Sequence, residues 1–179
     1  HLGELRRSDR IQFRRFYLRR IRRLLPALGL MLAVTLVLGV GLAPIAAQPI
    51  TARTGLAAAL VNANTYLIRS DTDGGYFGVD ASANALIHTW SLSVEEQFYL
   101  GFPALLAVAA LVARRRGRRP ERAIGVMLGG VLVLSLPLSI LLTTGRLDPG
   151  GLGRQIAFYS APTRAWEFAI GGILATAAI

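Results

Sequence analysis

The sequence predicts an all-α protein, part of a polytopic bundle of about ten membrane helices, and three observations lead there. Of 179 residues, 53% are hydrophobic and 17% charged, against roughly 25% charged in ordinary soluble domains. The hydrophobic residues gather in uncharged runs near the ~20 residues that a bilayer core of about 30 Å requires of a helix. The runs are long and lack the period-two alternation of barrel strands. The 20 basic residues are all arginine and the net charge is +10. A nucleic-acid-binding protein could carry that charge, but not so apolar a remainder, and no base-stacking platform accompanies the arginines. With no cysteine, a disulfide framework, a zinc–thiolate site and a thiol nucleophile are excluded. The chain opens on His1 and closes inside an apolar run, so a piece of a larger membrane protein is expected.

Taken in order, residues 1–23 form a basic cytoplasmic approach. Residues 24–43 are the first span, uncharged throughout, with Pro26 in the first turn where its missing donor does least harm. Residues 56–68 contain Asn62, Asn64 and Thr65 and number only thirteen. A re-entrant or protein-buried helix is expected there rather than a lipid-facing span. Residues 93–113 form the next span, its apolar part beginning at Phe98. Residues 123–142 follow, with a kink expected at Pro137. A last span begins near Ala165 and runs to 179. The glycines at 129–130 and 171–172 are expected to allow close helix packing.

Charge sets the direction of travel. One arginine cluster lies within 6–23 and another within 114–122, and the positive-inside rule puts both in the cytoplasm. The first span then runs outward, 93–113 returns, and 56–68 does not cross completely. Segments 93–97 and 164–167 are thereby placed at outer helix mouths, at one depth.

The stretch HTWSLSVEEQFY, residues 88–99, carries the most chemistry. Two adjacent carboxylates opening an apolar helix need a partner, a cap or water. Ser93 as N-cap with Glu96 three residues later reads as a capping box. Glu95 lies about 100° further round the helix, in line with Tyr99 and Phe102, and the cap does not explain it. His88 suits proton exchange near neutral pH, yet equally serves as a structural hydrogen-bonding group beside the interfacial anchor Trp90. A serine triad through Ser91 is rejected because no nucleophile-elbow glycines flank it. Arg164 and Glu167, three residues apart, can pair along one helix face and should face protein or water rather than lipid. Thr163 reads as the N-cap of that helix. Arg19, Arg20, Arg22 and Arg23 have two readings beyond topology: contact with anionic headgroups, or a site for a phosphate-bearing donor. Residues 71–80 look like a calcium loop but lack the terminal bidentate Glu, so no metal is expected. No GxxxxGK or GxGxxG pattern is present.

Three segments, FYLRRIRRLLP at 16–26, HTWSLSVEEQFY at 88–99 and TRAWEFAIG at 163–171, resemble membrane-bound acyltransferase family 3 in wording, order and spacing. The resemblance covers essentially the entire chain. It implies an enzyme that transfers an acyl group, acetyl in the first instance, from acyl-CoA to hydroxyls of extracytoplasmic carbohydrate at a bacterial cell (inner) membrane. It further implies an SGNH-type domain after the membrane part and no covalently bound cofactor. The family's proposed catalytic pair, a basic residue ten positions before a His, matches nothing in this chain. His1 is no substitute, so the segment alone is expected to be inactive. His88, Glu95, Glu96, Arg164 and Glu167 are then candidate site residues in supporting roles. Arg19, Arg20, Arg22 and Arg23 are candidates for the CoA phosphates, with membrane lipid and carbohydrate as partners and no nucleic acid. A transporter or flippase-like bundle is the alternative.

Overall fold

The computed structural model describes residues 13–70 and 83–177. The calcium-like run at 71–80, the start of the basic approach and the last two residues of the final span lie outside them. Among the described residues the chain is all-α, without strands. The helices are α1 (Phe13–Leu42), α2 (Gln48–Ala59), α3 (Ala63–Ser70), α4 (Thr89–Arg115), α5 (Pro120–Thr143), α6 (Gly153–Tyr159) and α7 (Ala161–Ala177), with a 3-10 turn at Pro149–Gly151. Three of them, α1 from Arg15 onward, α4 and α5, are long and apolar enough to cross a membrane.

The described part of the basic stretch, from Phe13, is the opening of α1, which at 30 residues is about 45 Å long. Pro26 accordingly sits inside the helix, not in its first turn, and removes one backbone donor from the middle of the ladder. In α5, by contrast, Pro120 occupies the first turn and Pro137 lies in the interior.

The doubtful segment 56–68 is a broken helix that starts earlier than expected. The helices α2 and α3 have 12 and 8 residues, too few for either to cross alone. The break is a Schellman motif: Asn62 N–H donates to Ala57 O at 2.8 Å and Val61 N–H to Ala58 O at 3.0 Å. That geometry needs a left-handed residue, and Val61 supplies it at φ 56°, where a β-branched side chain is a genuine outlier. The end of α4 uses the same motif with the residue it suits. Gly117, at φ 63°, donates to Arg114 O, and Arg118 N–H donates to Ala113 O.

Two apolar clusters hold the helices together. Leu67, Trp90, Val94 and Tyr159 join α3, α4 and α6, and Ile124, Leu128 and Ala169 join α5 to α7, with Phe102 and Leu106 of α4 packed on them. Of the four glycines expected to tighten packing, only Gly172 faces a close neighbour, Leu128 at 3.1 Å from where a Cβ would lie. Gly129, Gly130 and Gly171 face open space.

Candidate functional site

The first three turns of α4 distribute their side chains to α1, α3, α6 and α7, and the site is built on them. Its helix begins at Thr89, with His88 in the capping position but making no side-chain cap bond. Ser93 is therefore in the second turn and is not an N-cap, and the predicted capping box does not form. Ser93 Oγ accepts from the Ala63 N–H at 3.2 Å instead, so it caps α3 across the interface.

With its backbone role gone, Glu96 pairs with Arg20 of α1. Arg20 Nε donates to Oε1 and Oε2 at 3.1 and 2.9 Å, and Nη2 donates to Oε1. The guanidinium lies flat on the Tyr99 ring, 3.2 Å from its centroid, so one arginine is held by a carboxylate fork and an aromatic face together. One turn away Tyr17 OH donates to Leu100 O at 2.7 Å. These two contacts, Tyr17 to Leu100 and Arg20 to Glu96, fix α1 and α4 as antiparallel. They also line one end of an otherwise apolar cleft of about 360 Å³, whose walls include Leu24, Leu28, Val61 and Leu92.

This pair corrects the topological picture. The charge argument put Arg20 in the cytoplasm and Glu96 at the outer mouth, yet they touch. Eighteen residues of helix separate Glu96 from Arg114, about 27 Å at 1.5 Å per residue. The two arginine clusters therefore do not lie at one level along α4.

Gln97 and Asn64 exchange side-chain amide bonds at 2.9 and 3.1 Å. Gln97 Nε2 also donates to Val61 O at 3.0 Å, and Asn64 Nδ2 to Tyr159 O at 3.2 Å. The amide knot thus pins the strained break between α2 and α3 to α4 and α6.

On its other side α4 meets α7. Arg164 and Glu167 form a two-bond fork, Nε to Oε1 at 3.1 Å and Nη2 to Oε2 at 3.0 Å. The Arg164 guanidinium lies 5.1 Å from the Trp90 ring, and Phe98 stacks on Phe168 with centroids 3.9 Å apart. Trp90 to Phe98 and Arg164 to Phe168 advance together, so α4 and α7 start at the same level, as the sequence implied. Thr163 is not a cap for its own helix: α7 begins at Ala161, and the buried Thr163 hydroxyl donates back to Ser160 O at 2.8 Å. Ser135 of α5 bridges the same turn, donating to Pro162 O at 2.7 Å and accepting from Trp166 N–H at 3.1 Å.

Glu95 falls on the arc of α4 between Tyr99 and Phe98, exposed, with neither ion pair nor hydrogen bond among the described residues. His88 is exposed as well; its carbonyl accepts from Ser91 Oγ. Arg19, Arg22 and Arg23 are exposed around Arg20. The structure thus joins Glu96 to Arg20 and Arg164 to Glu167, and brings both pairs to one stretch of α4. It leaves His88 and Glu95 exposed. Sequence reasoning named Asn64 only as a sign of a buried helix and assigned no contact to Tyr17, Gln97 or Ser135. A polar side chain inside an apolar run was the available signal for Ser135.

The chain matches an acyltransferase domain family over residues 2–178. It is 32% identical over 165 residues to YrhL of Bacillus subtilis, provisionally named a peptidoglycan O-acetyltransferase, covering 92% of this chain and 24% of that protein. It is 28% identical over 174 residues to the peptidoglycan O-acetyltransferase OatA of Listeria monocytogenes, covering 97% and 26%. A Staphylococcus aureus protein provisionally named an O-acetyltransferase is 31% identical over 169 residues, covering 92% and 25%. The chain spans about a quarter of the length of these relatives. No solved structure matches it.

Proposed function

This chain belongs to membrane-bound acyltransferase family 3, and on that premise we propose that the protein is an O-acyltransferase of a bacterial cell (inner) membrane. It takes an acyl group, acetyl in the first instance, from acyl-CoA to a hydroxyl of extracytoplasmic carbohydrate. The names of the relatives point to peptidoglycan as the acceptor class. An SGNH-type domain beyond this segment belongs to the same proposal. The observation that carries the reading is the convergence of two Arg–Glu pairs on the opening turns of α4, beside one carboxylate, Glu95, left unpaired.

In the reaction the acceptor oxygen forms a bond to the thioester carbonyl carbon. The carbon–sulfur bond breaks, the thiolate departs with CoA, and the hydroxyl proton passes to a base. Donors must meet the negative charge that builds on the carbonyl oxygen. Arg164, held half-exposed between Glu167 and Trp90, is the donor this segment offers. Glu95 has free acceptor oxygens to orient a sugar hydroxyl. Neither is assigned the proton transfer itself. Glu96 acts through Arg20, and Arg19, Arg22 and Arg23 remain open to the CoA phosphates, where guanidinium forks match phosphate oxygens. His88 is proposed only as a polar group near the mouth.

Acceptor acylation by the full-length protein carrying Glu95→Gln or Arg164→Ala tests this reading. Each should lower turnover at least tenfold, the equivalent of about 1.4 kcal/mol in the barrier, at normal expression. Normal turnover in both removes these residues from the mechanism. The broken helix at Val61 is the one feature favouring a transporter, and substrate flux without acylated product would support that alternative.

A further inference from the structure

We propose that Ser135, on a different helix from every charged residue of the site, is a positioning residue that fixes Arg164 in its working orientation. The inference rests on the reading of Arg164 given above and extends it to α5.

Pro162 O and Trp166 N–H are the two ends of one i→i−4 step in the first turns of α7. Ser135 Oγ bonds to both, at 2.7 and 3.1 Å. Its side chain comes from the middle of α5 and is buried, with 5% relative exposure. A hydroxyl in that position does what no apolar side chain can: it inserts into one step of the helix ladder and ties that step to a neighbouring helix. On the other side of Arg164 the buried Thr163 hydroxyl ties the same turn to the end of α6. Arg164 therefore sits between two tethered peptide positions. Its remaining contacts, the Glu167 fork and the Trp90 face, each depend on how far α7 is rotated about its axis and on its level against α4. A helix turns about 100° per residue, so a rotation of a small part of that moves a guanidinium at the end of a long side chain by ångströms.

The apolar contact between α5 and α7 is extensive: Ile124, Leu128 and Ala169 form its centre, with Met127, Val131, Leu132 and Ile173 packed on them, but such packing is non-directional. The two bonds of Ser135 are directional and lie beside Arg164 itself.

The test uses the full-length enzyme and two readouts. For acyl transfer, Ser135→Ala should lower kcat about fivefold to tenfold, leave KM for the acyl donor within about twofold, and be restored by Ser135→Thr, which keeps the hydroxyl. Adding Ser135→Ala to Arg164→Ala should cost less than about twofold more, because the tether acts through that arginine. For position, a Phe98→Cys/Phe168→Cys pair in a cysteine-free background replaces the two stacked rings. Its oxidative cross-linking rate should change at least about threefold when Ser135→Ala is added and not when Ser135→Thr is added. An unchanged cross-linking rate overturns the proposal whatever the activity, as does a Ser135→Ala loss that multiplies with that of Arg164→Ala. If Arg164→Ala is fully active while cross-linking responds to Ser135→Ala, the role of Arg164 falls and the tether stands. Should Ser135→Ala fail to accumulate, Ser135→Cys, a weak donor, should give an intermediate kcat; full wild-type kcat there counts against the proposal.

Discussion

Breaking the Arg20–Glu96 pair has a calculable effect. The side chains of Arg20 and Glu96 keep 23% and 19% of their exposure, so the pair sits much nearer the buried limit than the surface one. Exposed pairs couple by about 0.2–1 kcal/mol, and removing one partner of a buried pair costs about 3–5 kcal/mol. The Tyr99 face, at 3.2 Å, remains for the stranded guanidinium and returns roughly 1 kcal/mol. Glu96→Ala should therefore destabilise the membrane-embedded protein by about 2–4 kcal/mol, and the Arg20→Ala, Glu96→Ala cycle should give a coupling near 1.5–2 kcal/mol. Steric-trapping or denaturant unfolding of the full-length protein in bilayer-like micelles measures both. Raising salt tenfold should leave most of the coupling in place, since a pair largely out of water is weakly screened. A coupling below about 0.5 kcal/mol, or one abolished by salt, would refute the geometry, and with it the antiparallel register of α1 and α4.

Further predictions concern the backbone and the amide knot. Val61→Gly should raise stability by about 1 kcal/mol, because glycine adopts the left-handed conformation freely; a lower unfolding midpoint would contradict the strain assigned to that residue. Gln97→Ala removes the exchange with Asn64 and the bond to Val61 O, and should cost about 1–3 kcal/mol in the same unfolding assay. Gly153→Ala would place a Cβ 2.7 Å from Leu147 O and 2.9 Å from Asp148 Oδ1, which should destabilise by about 1–3 kcal/mol. Gly171→Ala meets nothing within 4 Å and should be neutral or stabilising by up to about 1 kcal/mol through helix propensity.

Three of the four expected spans, those within α1, α4 and α5, were legible because twenty-residue apolar runs have few other outcomes in a chain this poor in charge. The α4 and α7 starts do share a level, as expected of 93–97 and 164–167, but the charge argument that led there fails at Arg20, which touches Glu96. What could not be read was partner choice. Ser93 and Glu96 have the spacing of a capping box, but the helix starts four residues earlier, at Thr89, and that displacement frees both side chains for other helices. Arg20 and Glu96 are 76 residues apart, and no local pattern connects them. The same holds for Ser135, whose two partners lie on α7. Val61 shows the limit from the other side: glycine marks the end of α4 at 117, whereas valine holds the equivalent place after α2, so residue type conceals the turn.

The long helix α1 is fastened like a beam. At one end Tyr17 and Arg20 grip α4. In the middle Leu32 and Leu36 lie over Gly55, each 3.7 Å from the place of its missing Cβ. At the far end the Gln48 amide clasps the carbonyls of Val40 and Ala43. Undoing a single fastening loosens one end and leaves the other two seated. A variant at Arg20 therefore weakens the hold on α4 at one end, where Tyr17 still reaches Leu100, and leaves the Gly55 and Gln48 contacts in place.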